Sequence, residues 1–184
     1  MTDNSLPMDM FLNDVAKRIP QRVPGTAVFL TSYTGGAPPV LLHHVKHNKV
    51  LHEQVILLSV QTEDIPHVAE EDQLEFHDLG QKFYSVVAHC GFMESPEVPK
   101  LLRQCQAHGV SIRPLETTYY LGRETLIATP DKLRDKSMDE SPRPLLATWR
   151  KKLFILMSRN AQSATTFFNL PPNRVVEMGA QIQF

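Results

Sequence analysis

The feature that most constrains the fold is the stretch QVILLSVQT at residues 54–62. It is apolar almost without interruption over the length of one strand. A strand that is apolar on both sides is typical of a parallel sheet covered by helices on each face. The stretch therefore favours an α/β architecture.

The residues before this strand complete a β-α-β unit. The run TAVFLTS at 26–32 is short, apolar and rich in strand formers, and the YTGGAPP that follows it is typical of a turn. PVLLHHVKHNK then predicts a helix with one apolar side. A strand, a helix and a second strand in this order predict a right-handed crossover and a parallel strand pair.

Three more segments have helical patterns. MDMFLNDVAKRI predicts a helix over residues 8–19, and EVPKLLRQCQAHG predicts a helix that ends at Gly109. PLLATWRKKLFILMSRNA predicts a third helix with an apolar stripe.

The remaining apolar segments have strand patterns. QLEFHDL and FYSVVAHCGF flank GQK and predict a hairpin. TTYYLGRETLIAT predicts either one long strand or two strands around Gly122, and VVEMGAQIQF alternates as a half-buried strand does. Together the patterns predict an α/β fold with a mixed, mainly parallel sheet flanked by helices.

Composition excludes several classes of protein. The formal net charge of −1 leaves no overall excess of Lys and Arg for binding nucleic acid. Two cysteines are too few for a disulfide framework or a zinc site, so reduced thiols in the cytosol are expected. No apolar run approaches the roughly 18 residues of a membrane span. The chain alone is expected to be soluble, which does not exclude its being one part of a membrane protein.

Four histidines lie within LLHHVKHNKVLHEQV, namely His43, His44, His47 and His52. On a helix His43 and His47 share a face, at a spacing that can chelate zinc. The His-Glu-x-x-His motif is absent, because position 44 is His, and the neighbouring lysines would repel a divalent ion. We therefore predict no metal site, but a partly exposed helix whose imidazoles bond to backbone or solvent. Whether His43 or His47 responds to pH is left open.

No catalytic motif is present. The sequence has no Gly-x-Ser-x-Gly elbow, no P-loop and no Gly-x-Gly-x-x-Gly after a strand. Cys90 lies in an apolar strand, where an inert thiol is expected. A nucleotide hydrolase would need a base beside a nucleophile, and no such pair is visible. The chain is therefore predicted not to be an enzyme.

Several blocks resemble the C-terminal cytosolic region of the Kup/HAK/KT potassium uptake transporters. They are VPGTAVFLTS, PPVLLHHVKHNKVLHEQVILLSV, GFMESPEVP, ETTYYLGRETL, WRKKLFILMSRNAQSATTFF and LPPNRVVEMGAQIQF. The strings HNKVLHE, LGRETL and SRNA are the most specific. The resemblance runs from about Met8 to the end of the chain, so the histidine-rich stretch is part of a family block.

This resemblance implies a role in a membrane protein. Full-length members take up potassium, typically with protons, through an N-terminal helix bundle that this chain lacks. Residues 1–24 would be a membrane-proximal connector helix, and residues 25–184 a cytosolic α/β regulatory domain resembling the universal stress protein fold. The expected place is the cytoplasmic face of the inner membrane. The expected partners are the transmembrane domain of the same polypeptide and a second copy in a homodimer, and not nucleic acid.

The resemblance also implies a ligand, because relatives are controlled by cyclic di-AMP. We expect cyclic di-AMP or another adenine nucleotide, and no other cofactor. Ligands of open parallel sheets bind beyond the carboxyl ends of the strands, and phosphates need backbone N–H groups or an arginine fork. The candidate ligand-binding residues are Thr31, Ser32, Gly35, Gly36, His43, Arg123, Arg159, Asn160 and Arg174.

Other interpretations of these residues stay open. Arg123 would instead pair with Glu116 or Glu124, Arg159 would cap its helix, and the two glycines would be plain turn residues. The third helix has a basic face that would lie against anionic headgroups or simply in solvent. At the level of the whole chain, the alternative is a dimerisation scaffold that binds no ligand, with VVEMGAQIQF as an exposed sheet edge.

Overall fold

The computed structural model describes residues 6–18, 21–32, 36–127 and 163–183 of the 184-residue chain. The helices are α1 (Met8–Arg18), α2 (Pro39–Asn48), α3 (Val98–Cys105) and the short α4 (Ala164–Phe167). The strands are β1 (Arg22–Leu30), β2 (Leu51–Glu63), β3 (Leu74–Gly80), β4 (Phe83–Gly91), β5 (Thr117–Ile127) and β6 (Val175–Gln183). None of these helices has both the length and the hydropathy needed to cross a bilayer.

The strands form one sheet in the order β3-β4-β2-β1-β5-β6. Strand β1 runs parallel to β2 and to β5, β2 runs parallel to β4, and β3 is antiparallel to β4. The predicted α/β class with a mixed, mainly parallel sheet is confirmed. The predicted parallel pair is confirmed too, although β1 and β2 both begin earlier than predicted, because they pair from Arg22 and Leu51 onwards.

Each face of the sheet buries its own apolar cluster. On β1, Val28 faces the cluster that includes α3, and its neighbour Phe29 faces the cluster that includes α1 and α2. Ile56 and Leu57 divide in the same way on β2. Because successive side chains of a strand point to opposite faces, central strands covered on both sides need the continuous apolar run seen in the sequence.

The ends of several elements follow from backbone conformation. Helix α2 begins with Pro39 at its first position and ends at Lys49, whose left-handed backbone (φ 56°) donates an N–H to the Val45 carbonyl at 3.1 Å. The segment after α3 ends at Gly109 (φ 83°), as predicted. The predicted hairpin is confirmed, with a two-residue turn at Gln81 and Lys82.

The two late strands partly differ from expectation. Strand β5 is one continuous element, so the alternative of two strands around Gly122 is wrong. Gly122 is needed for another reason, since a Cβ there would come within 2.8 Å of Val40 Cγ2 on α2. Strand β6 is confirmed, with Val175 packed on one cluster and Met178 on the other. Val176 is exposed, and β6 is an edge strand of this sheet.

The chain divides into two compact units. The first contains residues 1–122 and 164–178, and the second contains residues 123–163 and 179–184, of which the structure describes little more than the ends of β5 and β6. Strand β1 spans the boundary between residues 24 and 25 that separates the expected connector from the expected domain. That division stays a prediction. The helix predicted over residues 144–161 lies outside the described residues.

Candidate functional site

The sheet order places a topological switch point at β1. Strand β1 lies between β2, which follows it in the chain, and β5, which comes much later. At the end of β1, Leu30 is opposite Leu58 on one side and Leu121 on the other. Ligands of open α/β sheets bind at the carboxyl ends of strands at such a point. The predicted crevice residues Thr31 and Ser32 follow β1 directly.

The described part of the loop after β1 offers few free groups. Thr31 is half-buried, and its N–H donates to the Leu58 carbonyl at 2.9 Å. Ser32 is exposed and Gly36 is buried, while Gly35 lies outside the described residues. The side chain of Ser32 is thus the accessible polar group that these positions present to solvent.

The start of α2 is poor in donors for a phosphate. Pro38 and Pro39 have no N–H, and the N–H of Ala37 donates to the Leu6 carbonyl at 3.0 Å. Anion binding at a helix N-terminus depends on free N–H groups in the first turn. This helix start therefore holds the segment ahead of α1, and leaves fewer donors for a ligand than the sequence indicated.

The other candidates are spread over the chain. His43 is exposed on α2, with its ring centroid 5.9 Å from that of His47. Arg123 lies in β5, and Arg174 is half-buried at the end of a short 3-10 helix before β6. Arg159 and Asn160 lie outside the described residues. The fold thus places Thr31, Ser32 and Gly36 around the end of β1, while the described residues leave the arginine fork a prediction.

Two ion pairs bear on these predictions. Glu116, a predicted partner of Arg123, lies 3.2 Å from the guanidinium of Arg113. At the end of β2, Glu63 Oε1 lies 2.7 Å from His89 Nδ1 on β4. The carboxyl end of β2 therefore contributes an acid, and that of β4 an imidazole, to this edge of the sheet.

His44 is the residue whose environment sequence reasoning missed. It was predicted on a partly exposed helix, yet it is 2% exposed. Its ring packs edge-on against Tyr120 with centroids 4.6 Å apart, and Asn48 Nδ2 lies 2.9 Å from its Nδ1. Its spacing from the buried Leu41 carried the signal, because residues three apart share a helix face. His43 and His47 are exposed, as predicted.

His52 lies next to His44, with ring centroids 6.4 Å apart. Two nitrogens of these rings, His44 Nε2 and His52 Nδ1, have no hydrogen-bond partner among the described residues. Burial lowers the pKa of His44, the nearby His52 lowers it further, and the Val50 backbone acts in the opposite direction. Burial also lowers the pKa of His52. Both rings are therefore held in the neutral form that packs against aromatic side chains.

The described residues were compared with what a metal site or a reactive thiol requires. No three His, Cys, Asp or Glu side chains there come together in a way that could hold a metal ion. Cys90 and Cys105 are both buried and free. Burial raises the pKa of both thiols, that of Cys105 to about 11. The reactive thiolate form is therefore scarce near neutral pH.

The comparisons with known proteins agree with one another. The model of the K+ potassium transporter C-terminal domain family matches residues 24–184. Two proteins named probable potassium transport system protein Kup, from Anaeromyxobacter sp. (strain Fw109-5) and Anaeromyxobacter dehalogenans (strain 2CP-C), are 53% and 55% identical to the whole of this chain. Kup 1 of Geobacter sulfurreducens is 50% identical over 96% of it.

In each of these relatives the match covers 26% of the protein, so the chain spans about a quarter of their length. No solved structure matches the chain. The resemblance to the universal stress protein fold therefore stays a prediction.

Proposed function

Since the chain belongs to the K+ potassium transporter C-terminal domain family, we propose that it is the regulatory domain of a proton-coupled potassium uptake transporter. The family is one of transporter domains and not of enzymes. In this proposal the domain lies on the cytoplasmic face of the inner membrane and acts on the transmembrane part of the same polypeptide. Its ligand is an adenine nucleotide such as cyclic di-AMP.

The observation that carries the proposal is a continuous path from the crevice to α1. The Ala37 N–H, just past the crevice loop, is bonded to the Leu6 carbonyl ahead of α1. Helix α1 in turn buries Phe11 and Val15 in the cluster that includes Phe29 of β1. A ligand that reorders the loop after β1 would change how the segment ahead of α1 is held. Couplings of this kind are typically about 1–3 kcal/mol, enough for a several-fold change in transport.

The topological switch point supports a ligand site at the end of β1. The start of α2 limits which backbone groups could bind a phosphate there. Because Pro38 and Pro39 remove two donors, the N-terminus of α2 alone is a weak phosphate site. In the proposal Ser32 lies at the mouth of the crevice, and Arg123, Arg159 and Arg174 remain the candidates that the sequence offers for the phosphates, with Asn160 as the candidate for a base or ribose.

Isothermal titration of the chain with cyclic di-AMP, and with AMP, ADP and ATP, tests the proposal. We expect saturable heat with at least one nucleotide, and its loss in Ser32→Trp, because an indole at this exposed position would fill the mouth of the crevice. Lys100→Ala, an exposed change on α3, is the matched control and should bind as the wild type does. Titrations without heat from micromolar to millimolar nucleotide would contradict the sensing role.

The second candidate is a scaffold that joins two transporter subunits and binds no ligand. It is favoured by β6, an edge strand of the described sheet with an exposed Val176, because an unpaired edge is a template for pairing with another chain. A chain that is dimeric in sedimentation and gives no heat with any nucleotide would support this candidate over the first.

A further inference from the structure

Two loops at one edge of the sheet are rich in acidic side chains. They are residues 64–73, which follow β2, and residues 92–97, which follow β4. They hold six carboxylates and no Lys or Arg. The acids are Asp64, Glu70, Glu71, Asp72, Glu94 and Glu97. The chain as a whole has a formal net charge of only −1, so this edge is a local concentration of negative charge.

Three large apolar side chains are exposed among these acids. Ile65, Phe92 and Met93 are 49%, 59% and 68% exposed. The two loops are joined by hydrogen bonds, from the Phe92 N–H to the Ile65 carbonyl at 3.0 Å and from the Met93 N–H to the Pro66 carbonyl at 3.3 Å. The two loops are therefore held together, and we call their three exposed apolar side chains and six carboxylates the acidic-apolar surface.

The backbone under this surface is tightly held. Glu94 Oε2 accepts the N–H of Gly91 at 2.7 Å and that of Val68 at 3.3 Å, and these bonds lower the pKa of Glu94. A Cβ at Gly91 would lie 2.2 Å from the Pro66 carbonyl oxygen. Such close backbone contact fixes the loops, so Phe92 and Met93 are held out to solvent by a defined structure.

The surface lies at the edge where the segment ahead of α1 enters. Strands β1, β2 and β4 are parallel, so their carboxyl ends share one edge of the sheet. The bond between Leu6 and Ala37 places that segment just beyond β1 at the same edge. Leu115, 79% exposed, comes directly before β5 and so lies at the opposite edge.

We propose that the acidic-apolar surface docks on the Lys- and Arg-bearing cytoplasmic loops of the membrane portion of the same polypeptide, an inference that rests on the proposed function. The relatives are about four times as long as this chain. Cytoplasmic loops of membrane proteins carry an excess of Lys and Arg, which complements a rim of six acids. Exposed apolar side chains with a polar rim are typical of protein interaction sites.

Charge also argues against two other occupants. The cytoplasmic leaflet is anionic, so a lipid surface would repel the six carboxylates. A second copy docking through the same surface would oppose twelve like charges across a two-fold axis. A basic protein loop is the occupant that satisfies both the charge and the apolar centre.

Site-specific photo-crosslinking tests the docking. This chain is joined to the remaining three quarters of the Anaeromyxobacter dehalogenans relative, and benzoylphenylalanine replaces Phe92, an exposed aromatic that can be changed without disturbing a core. We expect an intramolecular crosslink that mass spectrometry maps to a Lys- or Arg-bearing loop of the membrane portion. The same probe at Leu115, on the opposite edge, should give no such product. The double change Glu70→Lys and Glu71→Lys, at exposed positions, should reduce the yield at position 92.

Other results would overturn the proposal. Products with lipid alone, products between two copies alone, or equal products from positions 92 and 115 would each contradict it. Circular dichroism of the probe-carrying chain excludes misfolding as the cause. Nucleotide titration of the same protein distinguishes the failures, because a lost crosslink with unchanged nucleotide heat removes the docking surface and leaves the sensing role.

Discussion

The buried imidazole of His44 makes the stability of the fold depend on pH. Its neutral ring packs edge-on against Phe29 and Tyr120, which stack on each other, and charging it would place a cation among aromatic side chains with Nε2 unpartnered among the described residues. Because its pKa is lowered in the folded chain, the unfolded state binds more protons as the solution becomes acidic. The stabilisation is fully present above the ordinary pKa of histidine and is lost as the pH falls below it.

Replacing His44 by Phe should reduce this pH dependence. We expect the free energy of unfolding of the wild type to fall between pH 7.5 and pH 5, and that of His44→Phe to fall less, because the variant has no buried group to protonate. His52 remains, so some dependence should persist. Urea unfolding at several pH values measures the effect. His47→Gln, at an exposed position on the same helix, should keep the wild-type slope, and an unchanged slope in His44→Phe would contradict the assignment.

Among the elements, the β3–β4 hairpin closes on an unfavourable turn. Gly80 and Phe83 pair across it, and Gln81 (φ 53°) and Lys82 (φ 61°) both adopt the left-handed conformation. That turn matches the twist of the strands, but a residue with a Cβ loses roughly 1–2 kcal/mol there. The strand patterns on either side of GQK predicted the hairpin. GQK itself did not indicate the backbone strain in the turn.

The double change Gln81→Asn and Lys82→Gly should therefore stabilise the chain by about 1 kcal/mol, since both residues tolerate positive φ and the gain is partly offset by the greater freedom of glycine when unfolded. The urea midpoint should rise without a change in slope. Gln81→Ala with Lys82→Ala is the control, because alanine is still disfavoured in this conformation. An equal gain from the alanine pair would show that the backbone is not the cause.

At the scale of the whole molecule, α1 is part of the domain's packing. Phe11 is buried, and its ring meets that of Phe83 edge-on with centroids 6.1 Å apart. Helix α1 belongs to the same compact unit as β1–β4. The proposed signal to a transporter needs this arrangement, because a helix that merely tethered the domain would transmit nothing from the crevice.

Phe11→Ala should destabilise the whole first unit by about 3–5 kcal/mol, the usual cost of deleting a buried aromatic ring. Thermal unfolding followed by circular dichroism should show the main transition moved to lower temperature, without a separate early step for α1. Met10→Ala, at an adjacent but exposed position, should change the stability by about 0.5 kcal/mol or less. A main transition that stays in place in Phe11→Ala would mean that α1 folds independently.

Patterns close together in the chain were enough to predict much of the fold and part of the site. The apolar run of β2, the β-α-β order, the hairpin and the stop at Gly109 are local signals of periodicity and turn chemistry. They place Thr31 and Ser32 after the first strand, and the resemblance to potassium transporters rests on the same continuous blocks. The arginine candidates could not be located in this way, since local patterns do not show which residues far apart in the chain become neighbours.

The tertiary structure decided which side chains meet. It buried His44 of α2 against β1 and β5, used the Ala37 N–H to hold the segment ahead of α1, and joined two acid-rich loops next to Ile65, Phe92 and Met93. Periodicity indicated only that His44 shares a helix face with Leu41. Which side chains that face meets depends on which strands become neighbours, and that choice is made by burial over the whole sheet. Local sequence patterns were enough for the α/β class, the family and most of the described elements, because periodicity and turn chemistry act over short stretches of chain. The packing of those elements sets which surfaces remain for a ligand or a partner.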